Sequence, residues 1–296
     1  MNKTVEEYLT ELKQALQGCD AATLQDALAD AEEHLRNALE SARAANPSLN
    51  EAAAVAASVE EFGTPDEIAA AYKMIEKRQP PTLAPQPRRR PQSLLGRFFG
   101  VLVDPRAWGA LLYLMISLLS GILYFTWGVT GLSLSAGMIV LVIGVPFFAL
   151  FMVSVRGIGL IEGRIVEALL GLRMPRRPIF VDARIGWWAR FKNLIASWAT
   201  WKTLMYMLLQ LPLGVISFSL FTTLITIGLS LVAAPIVELF HLGPVITIAN
   251  NTYHLEWWSW PLFAAAGLIT MVLTLHLAKL LGSLHGRFAK WMLVSE

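Results

Sequence analysis

Apolar positions along the chain follow a helical period almost throughout, and their density changes near residue 95. In the first part they are sparse stripes. Val5, Tyr8, Leu9, Leu12 and Leu16 share one face after Thr4, with Glu7 three places on, which predicts a capped helix. A second helix is predicted over about 20–45, with Leu24, Leu28, Leu35 and Leu39 on its stripe, and Asn46-Pro47 ends it. A third runs over about 50–62 to Gly63, and Thr64-Pro65-Asp66-Glu67 restarts a fourth. The second part is nearly continuous hydrophobic sequence. About twenty apolar residues cross a bilayer core, and four stretches reach that length, roughly 107–127, 136–157, 203–233 and 261–281. The third is too long for an upright span, and Pro212 and Pro235 predict a kink, a tilt or a re-entrant end.

The greasy part repeats itself. At an offset of 93, Trp108, Leu111, Tyr113, Leu118, Gly121 and Phe125 fall on Trp201, Leu204, Tyr206, Leu211, Gly214 and Phe218. At an offset of 123, Gly159 to Arg164 falls on Gly282 to Arg287, with Arg156 over Lys279. A tandem helix hairpin is read from this, with copies at about 97–172 and 190–293. Short interfacial helices are expected ahead of each copy, at Phe98–Val103 and Phe191–Ile195, with Ile185, Trp188 and Trp198 beside the second. Past Arg156, the spacing of Ile158, Ile161, Ile165, Leu169 and Leu172 predicts an arm that continues the second span into the cytoplasm.

Charge then divides the chain into parts. Residues 1–78 carry seven Lys/Arg against fifteen Asp/Glu, while 79–296 carry seventeen against seven. The domains read are an acidic helical head at 1–78, a Pro/Arg-rich tether at 79–94 and a membrane domain at 95–296, giving an all-α fold. The loops 128–135 and 236–260 contain no Lys or Arg, whereas 156–202 contains nine. The positive-inside rule therefore puts both termini and the middle loop in the cytoplasm, with the tether's Arg88-Arg89-Arg90 near anionic lipid. Trp127, Trp257, Trp258 and Trp260 form the expected outer belt, and Trp108, Trp188, Trp198, Trp201 and Trp291 the inner one. No apolar leader is expected, and the single Cys19 excludes an intramolecular disulfide and reads as a small buried hydrophobe.

The head resembles the HAAS signalling domain through Glu7-Tyr8-Leu9, Asp30 with Glu33-His34-Leu35, and Val59 to Ala69. That resemblance implies a cytoplasmic signalling module working beside a regulator of the PadR type. The remainder is similar to the bacterial Putative sensor domain, through Pro212-Leu213-Gly214, Ala234-Pro235 and the recurring Gly163-Arg164 and Gly286-Arg287.

Candidate chemistry is thin. His276 lies inside the fourth span, where a structural hydrogen bond outweighs sensing or proton carriage. Glu238, His241, His254 and Glu256 share the outer loop, but their spacing fits no compact metal motif. No metal, cofactor or catalytic residue is assigned. His34 beside Glu32 and Glu33 points elsewhere than its neighbours, and three arginines without a recognition fold do not read nucleic acid. Glu60, Glu61, Asp66 and Glu67 are the candidate docking acids for a cytoplasmic protein. The expectation is a non-enzymatic membrane sensor, with the lipid bilayer, a regulator and a second copy of the chain as partners. A transporter or channel subunit, a lipid-acting enzyme and a passive scaffold are its rivals. Docking of the acidic head on the basic inner face is a further expectation, with salt weakening it.

Overall fold

A computed structural model describes residues 4–46, 50–85, 93–138, 144–177, 187–243, 246–248 and 251–294. The arginines 88–90, Ile185, Asp182 and Asn250 lie outside the described residues, as do the side chains of Arg190 and Phe191. Helices account for nearly all regular structure, so the fold is all-α.

The head comprises α1 (Val5–Ala15), α2 (Ala21–Ala45), α3 (Glu51–Phe62) and α4 (Pro65–Arg78). Each begins on a side chain able to satisfy free first-turn amides. Thr4, Asp20, Asn50 and Thr64 accept the N–H of Glu7, Ala22, Ala52 and Glu67. At α4 the bond is reciprocal, because Glu67 accepts the Thr64 N–H at 2.8 Å, and the Thr64 amide and hydroxyl hold its carboxyl below the usual carboxylate range. Tyr8, Leu12, Leu16, Leu35, Val55 and Ala69 close the core. Each fully buried large aliphatic there contributes about 1.5–3 kcal/mol. Tyr8 donates its hydroxyl to Gly63 O at 2.8 Å, and burial, then Glu67, push its pKa up to about 12. His34 stacks on Phe62 at 4.4 Å, a packing role rather than a ligand.

Four described segments are long and apolar enough to cross a membrane. They are α6 (Pro105–Met138), α7 (Gly144–Leu170), α9 (Trp198–Leu239) and, after a 3-10 turn at Trp257–Ser259, α10 (Trp260–Leu293). Short helices α5 (Leu94–Phe99) and α8 (Trp187–Ala196) precede α6 and α9. Helices α6, α9 and α10 outrun their expected limits at both ends; α7 runs past 157 to Leu170, but residues 136–138, expected in it, belong to α6. At 42 residues α9 is about 63 Å long, twice a bilayer core of about 30 Å. It is one continuous helix with Pro212 and Pro235 inside it, so no re-entrant piece forms. Leu119, Leu150, Ile216 and Leu273 stand exposed along the spans, as surfaces facing lipid do. Between α9 and α10, β1 (Ile246–Ile248) pairs antiparallel with β2 (Asn251–Tyr253), two strands that periodicity did not predict.

The chain forms two compact units. The first contains Met1–Ala84, Gly128–Tyr206 and Arg287–Glu296, and the second Pro85–Trp127 and Met207–Gly286.

Candidate functional site

In the first unit, α7 ends at Gly171, whose φ of +69° suits a residue without a side chain. A Cβ at Gly171 would meet the Leu83 backbone at 2.3 Å, so the chain passes there at backbone contact. The irregular segment that follows, Leu172 to Arg177, grips the head. Arg173 donates to Gln79 O at 2.5 Å and to Thr23 Oγ1 at 3.5 Å. Asp26 Oδ1 accepts the backbone N–H of both Arg176 (2.7 Å) and Arg177 (2.9 Å). The Arg177 guanidinium pairs with Asp30 at 2.8 Å and Glu33 at 3.2 Å, and Lys290 pairs with Asp20 at 2.5 Å. Tyr72 steadies Asp30 by donating its hydroxyl at 2.9 Å. Half-exposed pairs contribute about 0–1 kcal/mol each, so the grip depends on their number. Burial pushes the Asp26 carboxyl up, and the two N–H bonds and neighbouring arginines offset only part of that.

The second span continues past Arg156 as a helix to Leu170, as its spacing predicts. Ile161 is 59% exposed, whereas Glu162, Gly163, Val166 and Glu167 are buried. The reason is pairing: Tyr206 donates its hydroxyl to Glu162 Oε1 at 2.8 Å, and Glu167 binds Arg164 and Arg176. A buried carboxylate with partners is tolerated, while a lipid-facing one is not.

The second unit holds a buried polar chain. His285 Nε2 lies 3.0 Å from Gln210 Oε1, Gln210 Nε2 donates to Ser120 Oγ at 3.3 Å, and Ser120 donates to Ser117 O. With the Gln210 amide oriented this way, the His285 Nε2 carries the proton. Tyr113 meets the His285 ring edge-on at 5.1 Å. Helix crossing there is close: a Cβ on Gly121 would lie 2.7 Å from Gln210 O, and one on Gly214 would lie 2.4 Å from Ser117 O. The two sequence offsets relate these contacts. An offset of 93 carries Gly121 to Gly214, Ser117 to Gln210 and Tyr113 to Tyr206, and an offset of 123 carries Glu162 to His285. Trp108 Nε1 donates to Leu102 O and Trp201 Nε1 to Ile195 O, both at 2.8 Å, again 93 apart. A search for charged groups within the spans does not find Tyr113, Tyr206, Gln210 and His285, although Tyr113, Tyr206 and His285 stand in the repeated blocks.

Of the residues singled out in sequence, Glu238 and His254 come together, with His254 Nδ1 2.8 Å from Glu238 Oε1. The other Glu238 oxygen is buried without a partner among the described residues. His241 sits exposed in a turn at φ +50°, and Glu256 is exposed with only its backbone carbonyl engaged, by Ser259. No group of three metal-ligating side chains occurs among the described residues. His276 Nε2 lies 3.0 Å from Phe98 O and its ring stacks on Phe98 at 5.7 Å. Lys279 pairs with Asp104 at 2.5 Å. Burial raises the Asp104 carboxyl, but Lys279 and the Arg106 N–H outweigh it and hold the group below its ordinary value. Glu60, Glu61, Asp66 and Glu67 stand exposed on α3 and α4. The acids that hold the arm are instead Asp20, Asp26, Asp30 and Glu33.

Four apolar helices of spanning length, joined to a small capped helical head, define an all-α membrane protein. The family model described as Putative sensor matches residues 113–293, more than half of the chain, and the HAAS model matches residues 7–71. The chain belongs to the Putative sensor family. No curated protein and no solved structure matches it.

Proposed function

We propose that the chain is a non-enzymatic relay in the bacterial cytoplasmic membrane, with both termini inside and a duplicated hairpin as its membrane part. A cue in the lipid or at the outer loop shifts the packing of the spans. The shift reaches the head through the arms that continue α7 and α10. The observation that carries this reading is the grip of Arg173 on Thr23 and the Gln79 carbonyl, and of Arg176, Arg177 and Lys290 on the head acids Asp20, Asp26, Asp30 and Glu33. Released from that grip, the head presents these acids, together with the exposed Glu60, Glu61, Asp66 and Glu67, to a cytoplasmic regulator of the PadR type. Loops without Lys or Arg at 128–135 and 236–260 support the orientation. Equivalent contacts at offsets of 93 and 123 support the duplication.

The test is fluorescence transfer between dyes on the head and after residue 293 in the full chain in liposomes. Arg173, Arg176 and Arg177 changed together to Glu should lower the transfer and alter output in the host; unchanged transfer and output reject the relay. The polar chain His285–Gln210–Ser120 favours a second reading, a solute or proton path. Flux in proteoliposomes that disappears in Gln210→Leu decides for it.

A further inference from the structure

Among the described residues, Arg156 of α7 makes one hydrogen bond, from its Nε–H to Thr200 Oγ1 at 2.9 Å. Its side chain is only partly exposed, and no ion pair among the described residues includes it. A half-buried cation without a counter-charge is costly, because it has given up water and gained little in return. The guanidinium has five N–H donors in a flat fork, so four remain. Arg156 borders a cavity of about 50 Å3 whose other walls include Gly159, Gly163, Thr200, Thr203 and, from the head, Gln25. The two glycines let neighbours pack close, since a Cβ on Gly159 would lie 2.8 Å from the Thr203 methyl and one on Gly163 3.4 Å from Met174 Cβ. Thr203 turns its hydroxyl back to Ala199 O. Thr200 accepts from Arg156 and keeps its own proton to donate. One water needs about 10–15 Å3 on this scale, so the space suits about four waters or one tetrahedral oxyanion of similar heavy-atom count.

We propose that this cavity binds a phosphate-type oxyanion, with the Arg156 fork on two of its oxygens and the Thr200 hydroxyl on a third. Planar, paired N–H donors match such oxygens in geometry as well as charge. The group could belong to a soluble phosphate or to the headgroup of an anionic lipid, and the chemistry of the site is common to both. Gln25 borders the cavity, and its neighbour Asp26 holds the Arg176 and Arg177 amides. An anion there would thus be felt one residue from the grip on the head. This deepens the relay reading by naming its ligand class, although binding itself does not depend on that reading.

The experiment uses the full chain in nanodiscs. One arm titrates radiolabelled inorganic phosphate into discs of phosphatidylcholine; the other counts phosphatidylglycerol retained on protein released from mixed discs. Saturable phosphate binding assigns a soluble ligand, and selective retention of phosphatidylglycerol assigns a headgroup. In whichever arm responds, R156Q should weaken binding at least tenfold, R156K and T200V several-fold, and the exposed-arginine variant R287Q less than twofold. Melting curves identify variants that fold, and R156K with T200V carry the test if R156Q does not. Neither probe binding, or binding equal in wild type, R156K and T200V, overturns the proposal and leaves a water-filled cavity. Binding that leaves the head–arm fluorescence transfer unmoved supports the site while counting against the relay.

Discussion

Tyr113 and Tyr206 occupy corresponding places, and each is 1% exposed, yet they meet opposite chemistry. Tyr113 faces His285, the first member of a neutral chain through Gln210 and Ser120. Tyr206 faces Glu162, one turn ahead of Glu167, which carries two arginines. The first region is bonded internally, amide to hydroxyl, as hydrocarbon surroundings require. The second is built from charges that continue into the arm, where the arginines grip the head. One scaffold position thus serves packing in one place and electrostatic coupling in the other. The difference predicts that the Tyr113 region governs stability, while the Tyr206 region governs both stability and head position.

The largest effect should come from Gly214→Leu. Its Cβ has Ser117 O at 2.4 Å, so the helices must separate, costing about 3 kcal/mol, to be read in thermal unfolding in detergent. A melting temperature equal to wild type would break the close-crossing account. Next come deletions of one buried partner. Glu162→Ala strands the Tyr206 hydroxyl and Gln210→Leu strands the His285 N–H, each at about 1–3 kcal/mol. Only Glu162→Ala should also change head–arm fluorescence transfer; an equal change in Gln210→Leu would erase the contrast between the two regions. Glu162→Gln, which keeps an acceptor, should lose less than Glu162→Ala.

Smaller effects belong to the grip. Arg177→Ala removes two half-exposed pairs and should weaken docking by about 1 kcal/mol or less, with the loss shrinking as salt rises. The smallest concern pH, and two carboxylates give opposite signs. Asp104 is held low, so its contribution is present above the unfolded value of about 3.9 and is lost as pH falls through the lower folded value. Asp26 is held high, so its contribution is present below that value and is lost as pH rises through the raised folded one. In acid titrations of the full chain, Asp104→Asn should flatten the loss of stability at low pH. Asp26→Asn should flatten the weakening of docking as pH rises; slopes of the same sign in wild type would refute the pairing argument.

Much of the fold was legible because local physics wrote it. Thr64-Pro65-Asp66-Glu67 specifies a helix start by itself, and the stripe of Tyr8, Leu12 and Leu16 specifies its buried side. The spans were legible by length, but not their ends, because a helix stays helical past the bilayer while the hydropathy signal stops. Glu238 with His254 was half legible: the two meet, but Glu238 sits in the last turn of α9 rather than in the loop, and His241 and Glu256 do not join them. The arm's helix was legible, but not its buried face, since periodicity knows nothing of Tyr206.

By itself, the sequence determined the helical head, four membrane-length helices, the charge division and the positions that recur at 93 and 123. Only the tertiary structure decided which acids hold the arm, that Arg156 borders a cavity without a carboxylate, and that Tyr113 and Tyr206 face a histidine and a glutamate. The reason is one of range: capping and periodicity act within a few residues of chain, whereas Asp20 meets Lys290 across 270 positions that no local pattern spans.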